Sequence, residues 1–112
     1  MSGDMIDPKL ADCPALVTVK LISGKWKTRI LWHLRRGACG FGELERALPG
    51  ISPKMLSEHL AGLQQDGLIV RSTERHGRIL HSVYDYSDYG RTLIPVLDAI
   101  GDWGLVHAAR QV

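Results

Sequence analysis

Clustered basic side chains, one thiol beside a proline and one helix with a small polar face are the parts of this sequence able to do chemistry. Between Lys20 and Arg36 the chain carries Lys20, Lys25, Lys27, Arg29, Arg35 and Arg36 and no acid. A second basic group, Arg75-His76-Gly77-Arg78, contains a glycine. Ammonium and guanidinium groups gathered in this way suit a polyanion. A solvated helix face, or a hairpin exposed to water, is the plain alternative for each. Cys13 precedes Pro14. Helix N-termini favour anions and thiolate is the reactive form of cysteine, so Cys13 is a candidate reactive thiol. The neighbouring Asp12 opposes that charge, and a small hydrophobe at an interface is the competing role for the thiol. Cys39 matches no motif. A Cys13–Cys39 bond between two subunits is left open, because sequence carries no geometry.

Enzyme signatures are missing. There is no G-x-S-x-G, P-loop or dinucleotide fingerprint, and His and Asp residues are scattered. None of His33, His59, His76, His81 and His107 forms an H-x-x-x-H pair, so neither a metal nor another cofactor is expected. Trp26, Trp32 and Trp103 read as core or interface anchors. Tyr84, Tyr86 and Tyr89 read as packing residues.

The elements that must position these residues belong to one domain. The chain has 112 residues, 45% hydrophobic and 23% charged, which is ordinary for a globular protein. No apolar run approaches a bilayer span. The start lacks the basic-then-apolar pattern of a secretory signal. Two cysteines make no disulfide scaffold, and a reducing cytoplasm is the expected compartment. The net charge of +2 hides an uneven distribution: residues 13–81 hold eleven Lys or Arg against five acids, while 1–12 and 82–112 each sum to −2. A basic middle between acidic flanks points to a polyanion-binding face, with the flanks used otherwise.

Residues 1–12 read as a flexible leader, followed by a single domain over 13–112. Pro14 opens a short helix that ends near Gly24. Trp26, Ile30 and Leu34 mark a second helix stopped by Gly37, and residues 37–42 read as a turn. Phe41, Leu44 and Leu48 give a short third helix. Ser52 and Pro53 open a fourth, with Leu56, Leu60 and Leu63 as its buried stripe and Gly67 as its stop. Two strands follow, over about 68–74 and 79–86, joined at Arg75–Arg78. Ser87 or Asp88 caps a last helix with the stripe Leu93, Val96, Leu97, Ile100, Trp103 and Leu105. Pro95 marks either a bend or a late start in it. The expected class is mainly α with some β (α+β): a winged helix-turn-helix with a two-stranded β wing.

The stretches Cys13-Pro14, LISGKWKTRILWHL (21–34), FGELERALPGISPKMLSEHLAGLQQDGLIVR (41–71) and YSDYGRTLIPVLDAIGDWG (86–104) resemble the HxlR-type winged-helix transcription regulators, relatives of the broader MarR-like group. The resemblance implies a homodimer on a pseudo-palindromic operator in double-stranded DNA. It divides the chain into a DNA-binding core over about 25–86 and N- and C-terminal dimerisation helices over about 14–23 and 88–108. Some members of the family use a cysteine at the position of Cys13 to sense oxidants or small-molecule electrophiles, and the resemblance makes Cys13 the candidate redox sensor.

At 100° per residue, the side of the fourth helix opposite its leucines collects Lys54, Ser57, Glu58, Ala61 and Gly62. It is polar first and small later, which suits insertion of a helix N-terminus into a major groove. Ser52, Lys54, Ser57 and Glu58, with His59 on the flank, are the expected base-edge or phosphate contacts. Glu58 needs a cytosine amino group or Lys54 beside it to be tolerated near phosphates. Arg75, His76 and Arg78 are expected at a minor groove or phosphate. Lys25, Lys27 and Arg29, at the start of the second helix, are expected as backbone contacts. Leu16, Val17, Leu93, Val96, Leu97, Ile100 and Trp103 form the expected dimer face. A winged-helix protein-interaction module without DNA binding is the alternative, and it leaves the basic groups unexplained.

Overall fold

The computed structural model describes residues 13–110 of the chain. The leader expected over 1–12 lies outside them. The elements run α1 (Pro14–Ile22), α2 (Lys25–Leu34), β1 (Cys39–Gly40), α3 (Phe41–Ala47), α4 (Pro53–Gln65), β2 (Ile69–His76), β3 (Ile79–Tyr86), α5 (Asp88–Arg91) and α6 (Ile94–Arg110). Helix, turn, helix and ribbon in that order make a winged helix-turn-helix.

Local signals set the helix starts. Pro14 and Pro53 occupy first-turn positions, where a missing N–H costs nothing. Ser52 Oγ accepts the Met55 N–H at 3.1 Å, and Glu43 Oε1 accepts the Gly40 N–H at 2.9 Å, so α4 and α3 are both capped. Ile30, Leu31 and Leu34 of α2, Leu44 of α3 and Leu56, Leu60 and Leu63 of α4 then meet in one core, each essentially without solvent contact. Trp26 packs at the edge of that core, half-buried.

The sheet has order β1-β3-β2 and is antiparallel throughout. The wing is the long β2–β3 ribbon, and its register from Ile69↔Tyr86 to His76↔Ile79 is unbroken. Gly77, at φ +66°, takes the first central position of the two-residue turn, where a left-handed conformation is needed. Residues 37–42, expected as a turn, contain β1, which pairs Cys39 with Tyr84 and Gly40 with Val83. Two residues are too few to show an alternating pattern in sequence.

The wing root is fixed to the helices at several points. The Tyr86 hydroxyl donates to the buried Leu31 carbonyl. The Ser87 N–H donates to the Leu68 carbonyl at 3.0 Å. Ser87 Oγ donates to the Gly67 carbonyl at 2.6 Å and accepts the Gly90 N–H at 2.8 Å. Tyr84 and Tyr86 lie in the core, whereas Tyr89 is exposed.

The single last helix expected from residue 87 or 88 is instead two. Ser87 caps the short α5, and α6 starts at Ile94, with Pro95 in its first turn. Proline lacks an N–H and its ring crowds the carbonyl four residues back, here Arg91, so the helix cannot run through. The chain turns at residues 92–93, and Pro95 marks a late start. α6 then packs across α2. Arg35 Nη1 meets Asp98 Oδ1 at 2.7 Å, and the Arg35 guanidinium lies 3.4 Å from the Trp32 ring centroid. Trp32 abuts Gly101 so closely that a Cβ there would fall 2.2 Å from its Cη2.

Candidate nucleic-acid interface

α4 rests its leucines on the core and its end on β2 and α2, which leaves the opposite side open. Ser52, Lys54, Ser57 and Glu58 are exposed on that side, and His59 is half-buried at its flank. Neither Lys54 nor Glu58 forms an ion pair among the described residues. Ala61 continues the exposed side without bulk.

The wing extends past the core, and every residue from Val70 to His81 is exposed. Arg75 and Arg78 stand at its tip. His76 is engaged locally: its Nε2 is 3.4 Å from Glu74 Oε1, and its ring lies 4.8 Å from that of His81. At the start of α2, Lys25 and Arg29 are exposed and flank Trp26, at 4.7 and 5.8 Å from its ring centroid. Lys27 is turned the other way. Its Nζ lies 3.8 Å from Asp66 Oδ2 just past the end of α4, so it braces α2 against α4.

Two further basic residues stand near this surface, one on the wing strand β2 and one on the neighbouring helix α3. Arg71 on β2 donates from Nε to Ser82 Oγ at 3.0 Å. Arg46 is exposed in the last turn of α3. Each is isolated in sequence, so no cluster drew attention to it.

The residues expected at a dimer face separate into two groups. Leu93 and Leu97 are 9% and 1% exposed and are held largely within the chain's own core. Leu16, Val96, Ile100 and Trp103 are exposed, and Val17 is half-buried. Val19, Leu105 and Val106 add to the exposed apolar surface of α1 and α6. Trp103 stacks on His107 at 5.1 Å with an 8° interplanar angle.

The two thiols occupy opposite environments. Cys13 is the N-cap residue of α1 and is exposed, with no side-chain cap bond. Cys39 is buried in β1, and its Sγ lies 3.6 Å from the Gly37 carbonyl. Burial first, then the charges of Glu43 and Asp85, push the Cys39 thiol up from its ordinary range, so it stays protonated. Pairing it with Cys13 of a second copy would require its Sγ to leave this buried position. Among the described residues, no three His, Cys, Asp or Glu side chains come together as a metal site. No helix there is long and apolar enough to cross a membrane.

Comparison with known proteins gives a consistent relationship. The profile of the HxlR-like helix-turn-helix family matches residues 21–112. The uncharacterized HTH-type transcriptional regulator YdzF of Bacillus subtilis (strain 168) is 47% identical over 95 residues, 84% of this chain and 86% of its own. Among solved structures, the redox regulator HypR in its reduced form superposes with a TM-score of 0.79 at 32% identity, covering 85% of this chain and 93% of that one. HypR in its oxidized form gives 0.75 at 33% identity, covering 84% and 96%.

Proposed function

This chain belongs to the HxlR-like helix-turn-helix family of transcriptional regulators, and from that premise we propose that it binds a pseudo-palindromic operator as a homodimer. It is a transcription regulator of helix-turn-helix type and not an enzyme. In this reading α4 enters the major groove with Lys54, Ser57 and Glu58 toward base edges, Ser52 at the mouth and His59 at the flank. Arg75, His76 and Arg78 follow the adjacent minor groove or backbone, and Lys25 and Arg29 hold phosphates. Lys27 contributes by holding α2 on α4. The DNA-binding core then spans about 25–86, within the cytoplasm.

The observation that carries this reading is the open side of α4: a capped helix start with a lysine that forms no ion pair among the described residues, bordered by a wing whose tip is basic and exposed. The exposed apolar residues of α1 and α6 support two-fold pairing, which matches half-sites about one helical turn apart. A redox or electrophile response through the exposed Cys13 is supported by the likeness to a regulator known in reduced and oxidized forms. The test is anisotropy on duplexes recovered by genome-wide capture of bound DNA, repeated as salt rises. Specific duplexes are expected to bind about 10³-fold or more tighter than scrambled ones, with a log-linear fall in salt. Binding that is absent or indifferent to salt would favour a protein-interaction wing. A monomer by sedimentation at micromolar concentration would remove the dimer.

A further inference from the structure

The wing tip carries an exposed apolar pair. Ile79 and Leu80 follow the turn directly and are 61% and 58% exposed. Side chains alternate along a strand, so the two stand on opposite faces of the ribbon. Leu80 is the cross-strand partner of Arg75, Ile79 is that of His76, and Arg78 precedes both. Between Arg71 and Tyr84 the one acid is Glu74, and it lies 3.4 Å from His76 Nε2. Other exposed positions of the ribbon are filled by Ser72 and Thr73, so strand formation alone does not demand isoleucine and leucine at the tip. The ribbon behind the pair is stiff. Its register is unbroken from root to tip, Arg71 Nε holds Ser82 Oγ across it at 3.0 Å, and the Tyr86 hydroxyl anchors the root on the Leu31 carbonyl. From Arg71 to His76 the free ribbon is about 17 Å long at ~3.4 Å per residue, more than twice the depth of a minor groove, about 7.5 Å.

We propose that Ile79 and Leu80 form an apolar wedge that enters the minor groove beside the α4 site, opens a base step and bends the duplex there. The inference rests on the operator reading above and adds to it a mode of sequence selection. Charge selects the occupant. An apolar pair bracketed by Arg75, His76 and Arg78 suits a groove with sugar walls between two rows of phosphates. Two side chains offer far less area than a stable protein interface needs, about 800 Å² per partner. Neither side chain can hydrogen-bond to a base edge, so their gain is apolar area removed from water against sugars and base faces. A minor groove about 6 Å wide must widen to admit a ribbon whose strands alone are ~4.8 Å apart. The step that yields is one that unstacks at low cost, TA or CA/TG, in preference to GC-rich sequence. The wing thereby selects sequence through deformability, while its arginines hold the phosphates on either side.

The experiment is fluorescence energy transfer between the ends of a captured operator duplex bound by the full chain, alongside anisotropy as salt rises. The duplex is made in two versions, with TA or GC at the flanking step beneath the wing. The wild type is expected to bend the TA duplex by about 20° or more at each wing and to bind the GC version about fivefold or more weaker. Ile79→Thr with Leu80→Thr keeps charge and strand preference at two exposed positions. This double variant is expected to retain the salt slope, lose the bend and bind the two versions within about twofold of each other. A duplex left straight by the wild type, a bend that the double variant keeps, or equal wild-type affinity for both versions overturns the wedge and leaves salt-dependent operator binding standing. Absence of salt-dependent binding by the wild type overturns the operator reading, and the wedge with it.

Discussion

Gly90 lies so close to Leu68 that a Cβ built on it would fall 1.9 Å from the Leu68 carbonyl oxygen and 2.8 Å from the carbonyl carbon. The contact is with backbone, so no side chain can rotate away to relieve it. It occurs where β2 leaves α4 and where α5 returns from β3, and Ser87 ties the same crossing through Leu68 and Gly67. The wing is thereby held at a fixed angle to α4, as the proposed docking of both on one duplex requires.

Gly90→Ala should therefore cost about 2 kcal/mol or more, from backbone displacement. Urea denaturation followed by circular dichroism measures it. A midpoint equal to that of the wild type would show that the crossing is not under this constraint.

Tyr86 gives a prediction in pH. Burial is the main cause that pushes its phenol above the ordinary value of 10.0, and the charges of Asp98 and Asp85 add to this against the opposing pull of Arg35. The folded state holds the proton more tightly than the unfolded chain. Its contribution is thus complete below about pH 10 and is lost as pH rises above that value. Tyr86→Phe should cost about 1 kcal/mol at neutral pH through the lost bond to the Leu31 carbonyl. It should also flatten the alkaline fall in stability. An equally steep fall in the variant would contradict the buried phenol.

Lys54 separates two kinds of contact. If it reads a base, Lys54→Ala weakens specific binding by about 1–3 kcal/mol and relaxes one operator position. If it meets phosphate, all sequences weaken alike and the salt slope falls by about one. Unchanged affinity with an unchanged slope would place Lys54 outside the interface.

Cys13 is the exposed thiol and Cys39 the buried, protonated one. DNA binding that responds to diamide, quinone or aldehyde should lose that response in Cys13→Ser and keep it in Cys39→Ala. An equal response in Cys13→Ser would remove the sensing role.

Much of this architecture was legible because helices announce themselves over several turns. Leu56, Leu60 and Leu63 recur at helical spacing beneath Ser52-Pro53, and Gly77 marks the ribbon tip. β1 was hidden because two residues that include a glycine carry no period. The direction of Lys27 was hidden because its partner, Asp66, is distant in sequence. The apolar stripe of the last helix was visible, but it divided on folding. Leu93 and Leu97 turn inward, while Val96, Ile100 and Trp103 face out. The interruption at Pro95 and the crossing of Trp32 over Gly101 set that division, and both are contacts between elements.

Hydroxyl-radical footprinting of a captured operator fragment tests paired docking of α4 and the wing most directly. Two protected stretches about one helical turn apart are expected, with flanking minor-groove protection that disappears when Arg75 and Arg78 are both changed to Ala. A single protected stretch, or protection that the double variant leaves unaltered, would contradict a paired protein gripping DNA with α4 and its wing.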